Sequence, residues 1–271
     1  MNKKSLLQRA AVAPHIVWSV LFIIAPLIFV MYYAFTDSNG NFSFSNIAEL
    51  AQPSYLEVFL RSVCFAFLAT VICLVIAYPI AYFIAKAKPK TQKILIMLVM
   101  LPMWMNFLIR TYSWMALLED SGIINSILGT EFHMINTEGA VILGMVYNFL
   151  PYMILPLHTV LSKIDFRLYE AASDLGCNPF YVITKVVFPL SLPGVISGIT
   201  MVFVPSISTF YISQKLGGGN FDLIGDTIER QFQTAYNYNL GAAMSFVLMI
   251  LIIISMTIMN KYADDDGGVI I

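Results

Sequence analysis

The chain has 271 residues, 59% of them hydrophobic and only 11% charged, with a formal net charge of −1 and a mean hydropathy of +0.78. A soluble domain carries roughly 25% charged residues, so this balance excludes an ordinary water-soluble globule and points to a membrane protein.

Six apolar stretches follow one another, at residues 15–35, 63–85, 94–118, 140–161, 186–212 and 242–259. A helix needs about 17–25 residues to cross a bilayer, and each stretch reaches that length. The expectation is an all-α, polytopic membrane protein with six transmembrane helices in one domain spanning 1–271. The first stretch follows Lys3, Lys4 and Arg9. Its apolar core exceeds the roughly 7–15 residues of a secretory signal, and no small-x-small cleavage pattern follows, so it is read as a retained span. The second opens with Glu57 and Arg61, an i,i+4 pair at the water boundary, and carries Pro79. Pro102 lies in the third, Pro151 and Pro156 in the fourth, Pro193 and Pro205 in the fifth. Membrane helices tolerate proline where neighbours satisfy the freed carbonyls, and such kinks suit either packing or a cavity. The outer loops 38–55 and 121–139 are long enough for short surface helices, and 213–239 contains the flexible run Gly217, Gly218, Gly219.

Charges orient the chain. Alternate loops on one side hold Lys3, Lys4, Arg9, Lys86, Lys88, Lys90, Lys93, Lys163, Arg167, Lys185 and Lys261, whereas the other side holds Arg61, Arg110, Lys215 and Arg230. The first side is therefore expected to face the cytoplasm, with both termini. The outer side carries ten of the sixteen acids, Asp222, Asp226 and Glu229 among them. An acidic mouth attracts cations over a Debye length of about 8 Å; the same acids also simply solvate loops, and both readings stand. Cys64, Cys73 and Cys177 form no CxxC pair and read as small apolar side chains.

The loop 162–189, between the fourth and fifth spans, is different in kind. Asp165 is placed to cap a helix whose face carries Leu168, Ala171, Ala172 and Leu175. Gly176 stands where a left-handed residue would end that helix. Asn178 and Pro179 supply an N-cap and a first-turn proline for the next. The sequence describes a helix, a sharp turn and a second helix at the cytoplasmic surface. A helix lying on lipid is the alternative; the alanine pair favours a shallow surface that a protein socket can approach closely.

No Gly-Lys dipeptide occurs, so no P-loop can be built, and HExxH, GxSxG and Cys–His clusters are absent from the sequence. No catalytic residue and no metal site is expected. The six spans contain no Asp or Glu, which argues against an ion-coupled carrier. Arg110 is the clear intramembrane charge, about 24 Å from the inner end of the third span at 1.5 Å per residue. It either snorkels outward or pairs with Glu119, Asp120 or a partner chain, or it gates a pathway; the first is favoured, because a lone cation would repel a cationic cargo. Trp104, Tyr112, Trp114, Tyr147, Tyr152, Phe210 and Tyr211 offer cation–π faces or an interfacial belt. Asn106 and Asn148, amides that need partners when buried, complete the candidate pathway set.

The inner loop reads Glu170-Ala171-Ala172, three residues, Gly176, nine residues, then Val186, Phe188 and Pro189. It resembles the EAA loop of ABC-transporter permeases, with Val186 and Phe188 in place of the usual isoleucine and leucine. The blocks at 78–86, 101–114, 143–157 and 210–232 narrow the likeness. Over nearly its whole length the chain resembles the B-type permease of spermidine/putrescine ABC importers. The resemblance implies a type I importer permease fold in a bacterial cytoplasmic membrane, without enzyme activity of its own. It implies four kinds of partner besides lipid: a second homologous permease, an ABC ATPase dimer holding ATP and Mg, an extracytoplasmic polyamine-binding protein, and the cargo. No cofactor on this chain and no nucleic acid is implied. Glu170, Ala171, Ala172, Asp174, Gly176 and Pro189 would couple to the ATPase. An importer of another small solute, or a secondary transporter, are the alternatives.

Overall fold

A computed structural model describes residues 14–37, 39–165, 167–174 and 176–266. In chain order the helices are α1 Pro14–Ala34, α2 Ser45–Glu49, α3 Pro53–Lys86, α4 Pro89–Trp104, α5 Phe107–Leu118 and α6 Ile123–Leu128. These are followed by α7 Glu138–Leu161, α8 Arg167–Asp174, α9 Pro179–Ile207, α10 Tyr211–Leu216, α11 Ile224–Gln233 and α12 Tyr238–Asp266. Helices α1, α3, α7, α9 and α12 are long and apolar enough to cross a membrane, and α4 with Phe107–Leu128 makes a sixth span when the bent pair is counted as one.

The third span departs from the continuous helix expected over 94–118. Its two parts meet at 88°. Pro102, inside α4, withholds a backbone donor, and Met105 and Asn106 are extended. The Asn106 amide oxygen then accepts the Leu108 N–H at 2.8 Å, so this asparagine starts a new helix instead of continuing the old one. The fifth span is also redrawn. It begins at Pro179 and ends at Ile207, and residues 211–216 form the separate helix α10.

Two prolines are absorbed by the same device. The Ala25 N–H bonds to the Val20 carbonyl, five residues back, just before Pro26, and the Phe188 N–H bonds to Ile183 just before Pro189. A proline inside a helix lacks a donor and crowds the carbonyl four residues back; one widened turn accommodates it without breaking the span.

The chain forms two compact units. One comprises the chain up to Glu57 with Thr227–Ile250. Within it the Asn239 amide donates to the carbonyls of Tyr33 at 3.2 Å and Thr36 at 2.6 Å, and Asn46 donates to Thr36 at 2.8 Å. Phe35 packs against Phe42, Phe44 and Phe246 with ring centroids 5.2–6.2 Å apart. The other unit comprises Val58–Asp226 and the chain from Leu251. Its α3 presents Ala66, Ala69, Cys73, Ala77 and Ala81, all fully buried, along one helical face. Small side chains let helices approach closely, which is how packing replaces the hydrophobic effect inside lipid. Between α7 and α9 the approach is tightest at glycine: a Cβ on Gly198 would lie 2.5 Å from the Met153 sulfur, and one on Gly194 would lie 3.0 Å from the Pro156 carbonyl and Val160.

Candidate functional site: the inner loop and the outer aromatic cluster

At the inner loop, local chemistry sets the geometry. The Asp165 carboxylate accepts the Arg167 N–H at 3.0 Å and opens α8. Gly176 adopts φ +75°, and the Cys177 N–H reaches back to the Ala172 carbonyl at 3.1 Å. That bond and the left-handed glycine form a Schellman stop. Ala172 and Cys177, the residues such a stop brings together, both pack against the hydrophobic core. Asn178 then caps α9 by accepting the Phe180 N–H at 3.0 Å, with Pro179 in its first turn. Glu170 and Ala171 lie in α8, Asp174 is its exposed last residue, and Leu175 lies outside the described residues. Pro189 is exposed within α9, while the ring of its neighbour Phe188 meets that of Tyr78 of α3 at 5.7 Å in a tilted arrangement. The Tyr78 hydroxyl meets the Ser191 hydroxyl at 3.0 Å.

The outer aromatic residues sort into those that meet and those that do not. Tyr211, at the start of α10, meets Tyr112 at 6.2 Å and Phe107 at 6.0 Å, both from α5. The Lys215 ammonium lies 5.6 Å from the Tyr112 ring centre and 5.7 Å from that of Tyr211, a cation–π arrangement. Trp114 packs edge-on against Tyr147 of α7 at 5.3 Å. Tyr152 pairs instead with Phe149 at 6.4 Å, Phe210 is exposed beside the cluster, and Trp104 stands 67% exposed at the end of α4. Asn106 is an exposed helix cap. Asn148 is 2% exposed; its amide donates to the Gly144 carbonyl at 2.8 Å, and its Oδ1 has no partner.

Arg110 is 8% exposed. Its Nε and Nη1 have no acceptor, and the guanidinium lies 5.9 Å from the Phe107 ring. Two expectations are corrected here. The depth reckoned along a straight span fails because the span is broken, and the arginine does not pair with Asp120, whose carboxylate meets His133 Nδ1 at 2.9 Å. A buried cation without acceptors opposes folding. Arg110→Met is therefore expected to melt at the same temperature as the parent or a few degrees higher, checked by thermal unfolding of the purified protein.

Sequence reasoning missed Lys215, whose i,i+4 spacing from Tyr211 was the available signal, and it missed a buried node around Asp226. Asp226 is 4% exposed. Its Oδ2 accepts the Ser213 hydroxyl at 2.6 Å and the Leu223 N–H at 2.8 Å, while Oδ1 has no partner. The next orphan donor of α11, Ile224 N–H, goes to the Ser62 hydroxyl of α3 at 2.7 Å. Burial, with the negative Asp222 adding to it, pushes the Asp226 carboxyl up to about 6 against the opposing hydrogen bonds.

Comparison with known proteins places this architecture. Residues 77–266 match the model of the family described as binding-protein-dependent transport system inner membrane component. The spermidine/putrescine transport system permease protein PotB of Haemophilus influenzae is 38% identical over 256 residues, covering 90% of each chain. Its Escherichia coli K12 counterpart is 35% identical over 246 residues, covering 86% of this chain and 90% of that one. Among solved structures, a bacterial ABC transporter that imports the acidic polysaccharide alginate superposes with a TM-score of 0.82, 17% identity and coverage of 97% and 96%. The MetNI methionine ABC transporter superposes with a TM-score of 0.59, 18% identity and coverage of 78% and 95%. At these identities the structures establish the fold, and the sequence relatives establish the lineage. The chain belongs to the family of binding-protein-dependent transport system inner membrane components, and is a multi-pass permease of the inner membrane with the ABC importer permease fold.

Proposed function

We propose that this chain is the membrane-spanning permease subunit of an ATP-driven importer of polyamines, working with a second permease, a separate ATPase dimer that binds ATP and Mg, and an extracytoplasmic binding protein. The observation that carries the reading is the 38% and 35% identity, over most of both chains, to permeases named for spermidine and putrescine transport. In the outer cluster the Tyr112 and Tyr211 rings face the Lys215 ammonium, so these rings can take a primary ammonium; a polyamine would have to displace it. Both termini and the loop 162–189 face the cytoplasm in this reading, as the basic loops require.

The coupling step follows from how the inner loop is joined to the rest. In this reading Glu170, Ala171, Ala172 and Asp174 present α8 to the ATPase, and the stop at Gly176 fixes the angle between α8 and α9. Helix α9 is locked to α7 by the close approaches at Gly194 and Gly198, so a push on α8 travels as a rigid-body motion of the pair. The far end of α9 leads through Phe210 to Tyr211. ATP-driven closure of the ATPase dimer would thereby reach the outer aromatic cluster of Tyr112 and Tyr211.

The test is uptake of radiolabelled spermidine and putrescine in cells whose only polyamine importer carries this chain. Trp104→Ala and Tyr112→Ala are expected to lower uptake several-fold, and Trp18→Ala, on a lipid-exposed face of α1, to leave it nearly unchanged. Equal and negligible effects of all three would return these aromatics to an interfacial role. Uptake of neither polyamine would remove the substrate assignment.

A further inference from the structure

We infer that the Ser213–Asp226–Leu223 node is a proton-operated latch on the outer part of the Val58–Asp226 unit, closing the junction of α10 with the start of α11 when the carboxyl is neutral and loosening it when the carboxyl is ionised. The latch rests on the permease reading only for its consequence in transport; its geometry stands apart from the cargo.

The node is dry. Leu223 and Ile224 are fully buried, Ser213 is 1% exposed, and Asp226 is nearly so. The first turn of α11 lies directly on the backbone before α10: a Cβ on Gly225 would sit 2.6 Å from the Ser208 carbonyl oxygen and 2.7 Å from that of Thr209. In this enclosure one oxygen of Asp226 is fully used and the other is sealed off. Oδ2 takes both donors, the Ser213 hydroxyl and the Leu223 N–H, and Oδ1 meets no donor.

That asymmetry gives the two protonation states different needs. A carboxylate spreads its charge over both oxygens, so the ionised form leaves a buried, charged Oδ1 without a side-chain or backbone donor. A proton on Oδ1 removes that charge and leaves Oδ2 free to keep both of its bonds. From α10 the side chains that act on the carboxyl are Ser213 and Gln214, both by hydrogen bonds that favour the ionised form and neither of which titrates, and from the preceding loop it is Asp222, whose negative charge opposes ionisation. From α3, Ser62 engages the adjacent Ile224 N–H. The closed junction thus favours the protonated acid, in keeping with a carboxyl raised from 3.8 to about 6.

The direction of the pH effect follows. A carboxyl whose value is raised in the closed form stabilises that form at low pH, and the stabilisation is lost as pH rises through about 6. Since α10 begins at Tyr211, loosening the junction at neutral pH frees the helix that carries the outer aromatic cluster.

Hydrogen exchange of the purified full chain in lipid nanodiscs, read at the Leu223 and Ile224 amides and corrected for intrinsic exchange, tests this. The parent is expected to be about tenfold better protected at pH 5.0 than at pH 7.5. Asp226→Asn, which keeps the shape and an acceptor but cannot ionise, is expected to show no pH dependence. Ser213→Ala, which removes a donor that favours the ionised form, is expected to move the midpoint to higher pH. Equal protection of the parent at both pH values overturns the latch, as does a dependence that survives in Asp226→Asn or a midpoint unmoved in Ser213→Ala. None of these readouts involves transport, so failure of the polyamine assignment would leave them intact.

Discussion

Gly176→Val is expected to cut ATP-driven uptake at least tenfold while the chain inserts into the membrane at its normal level. The glycine holds φ +75° and closes α8 through the Cys177–Ala172 bond. No atom lies within 4 Å of where its Cβ would be, so the effect comes from the backbone and not from a clash. A left-handed conformation costs an ordinary L-residue roughly 1–2 kcal/mol, and a β-branched side chain fits it worst. The turn would then open and α8 would lose its fixed angle to α9, although neither membrane span is touched. Gly176→Asn supplies the control, because asparagine tolerates this conformation and should keep most of the uptake. Glu170→Lys, which reverses a charge on the same helix, should behave like the valine variant. Transport assays normalised to inserted protein distinguish these outcomes, and normal uptake by both Gly176→Val and Glu170→Lys would remove the coupling assignment.

The second large effect is expected at Gly225. In an open helix, alanine in place of glycine would stabilise by roughly 0.5–1 kcal/mol. Here its Cβ would fall 2.6 and 2.7 Å from the carbonyl oxygens of Ser208 and Thr209. Those neighbours are backbone and cannot rotate aside, so overpacking wins, at a cost of about 1–3 kcal/mol. Gly225→Ala is expected to lower the melting temperature of the purified protein by several degrees. It should also lower uptake, since α11 can accommodate the methyl only by moving away from the segment that leads into Tyr211. Gly144→Ala is a comparison at side chains: its Cβ would meet Leu216 Cδ1, the end of a flexible side chain, and Ile212 Cγ2, fixed beside the backbone by β-branching.

What could be read directly from the sequence was local. Asp165, Gly176, Asn178 and Pro179 each act on residues a few positions away, so the helix, stop and second helix of the inner loop follow from their order alone. Span number and length are legible because lipid demands long apolar helices whatever surrounds them. The broken third span was half legible. Pro102 signalled a disturbance, but whether it bends or breaks the helix depended on Asn106, which reads from the sequence as a pathway amide and in the structure is a cap. Arg110 and Asp226 were opaque for a different reason. Arg110 read as an intramembrane charge that snorkels outward and Asp226 as an acid of an outer loop, and both are buried. The position of Asp226, three residues after Leu223, was the one local hint, being that of an N3 acid reaching back to the cap residue. Contacts such as Tyr112 with Tyr211 are non-local and leave no periodic trace.

The most direct test of the whole account is to purify the tagged chain from native membranes in mild detergent and identify every stoichiometric partner. A P-loop ATPase and a second, similar permease are expected with the parent chain, and less of the ATPase with Gly176→Val. Recovery of this chain alone, or as a homo-oligomer without an ATPase even after gentle crosslinking, would contradict it.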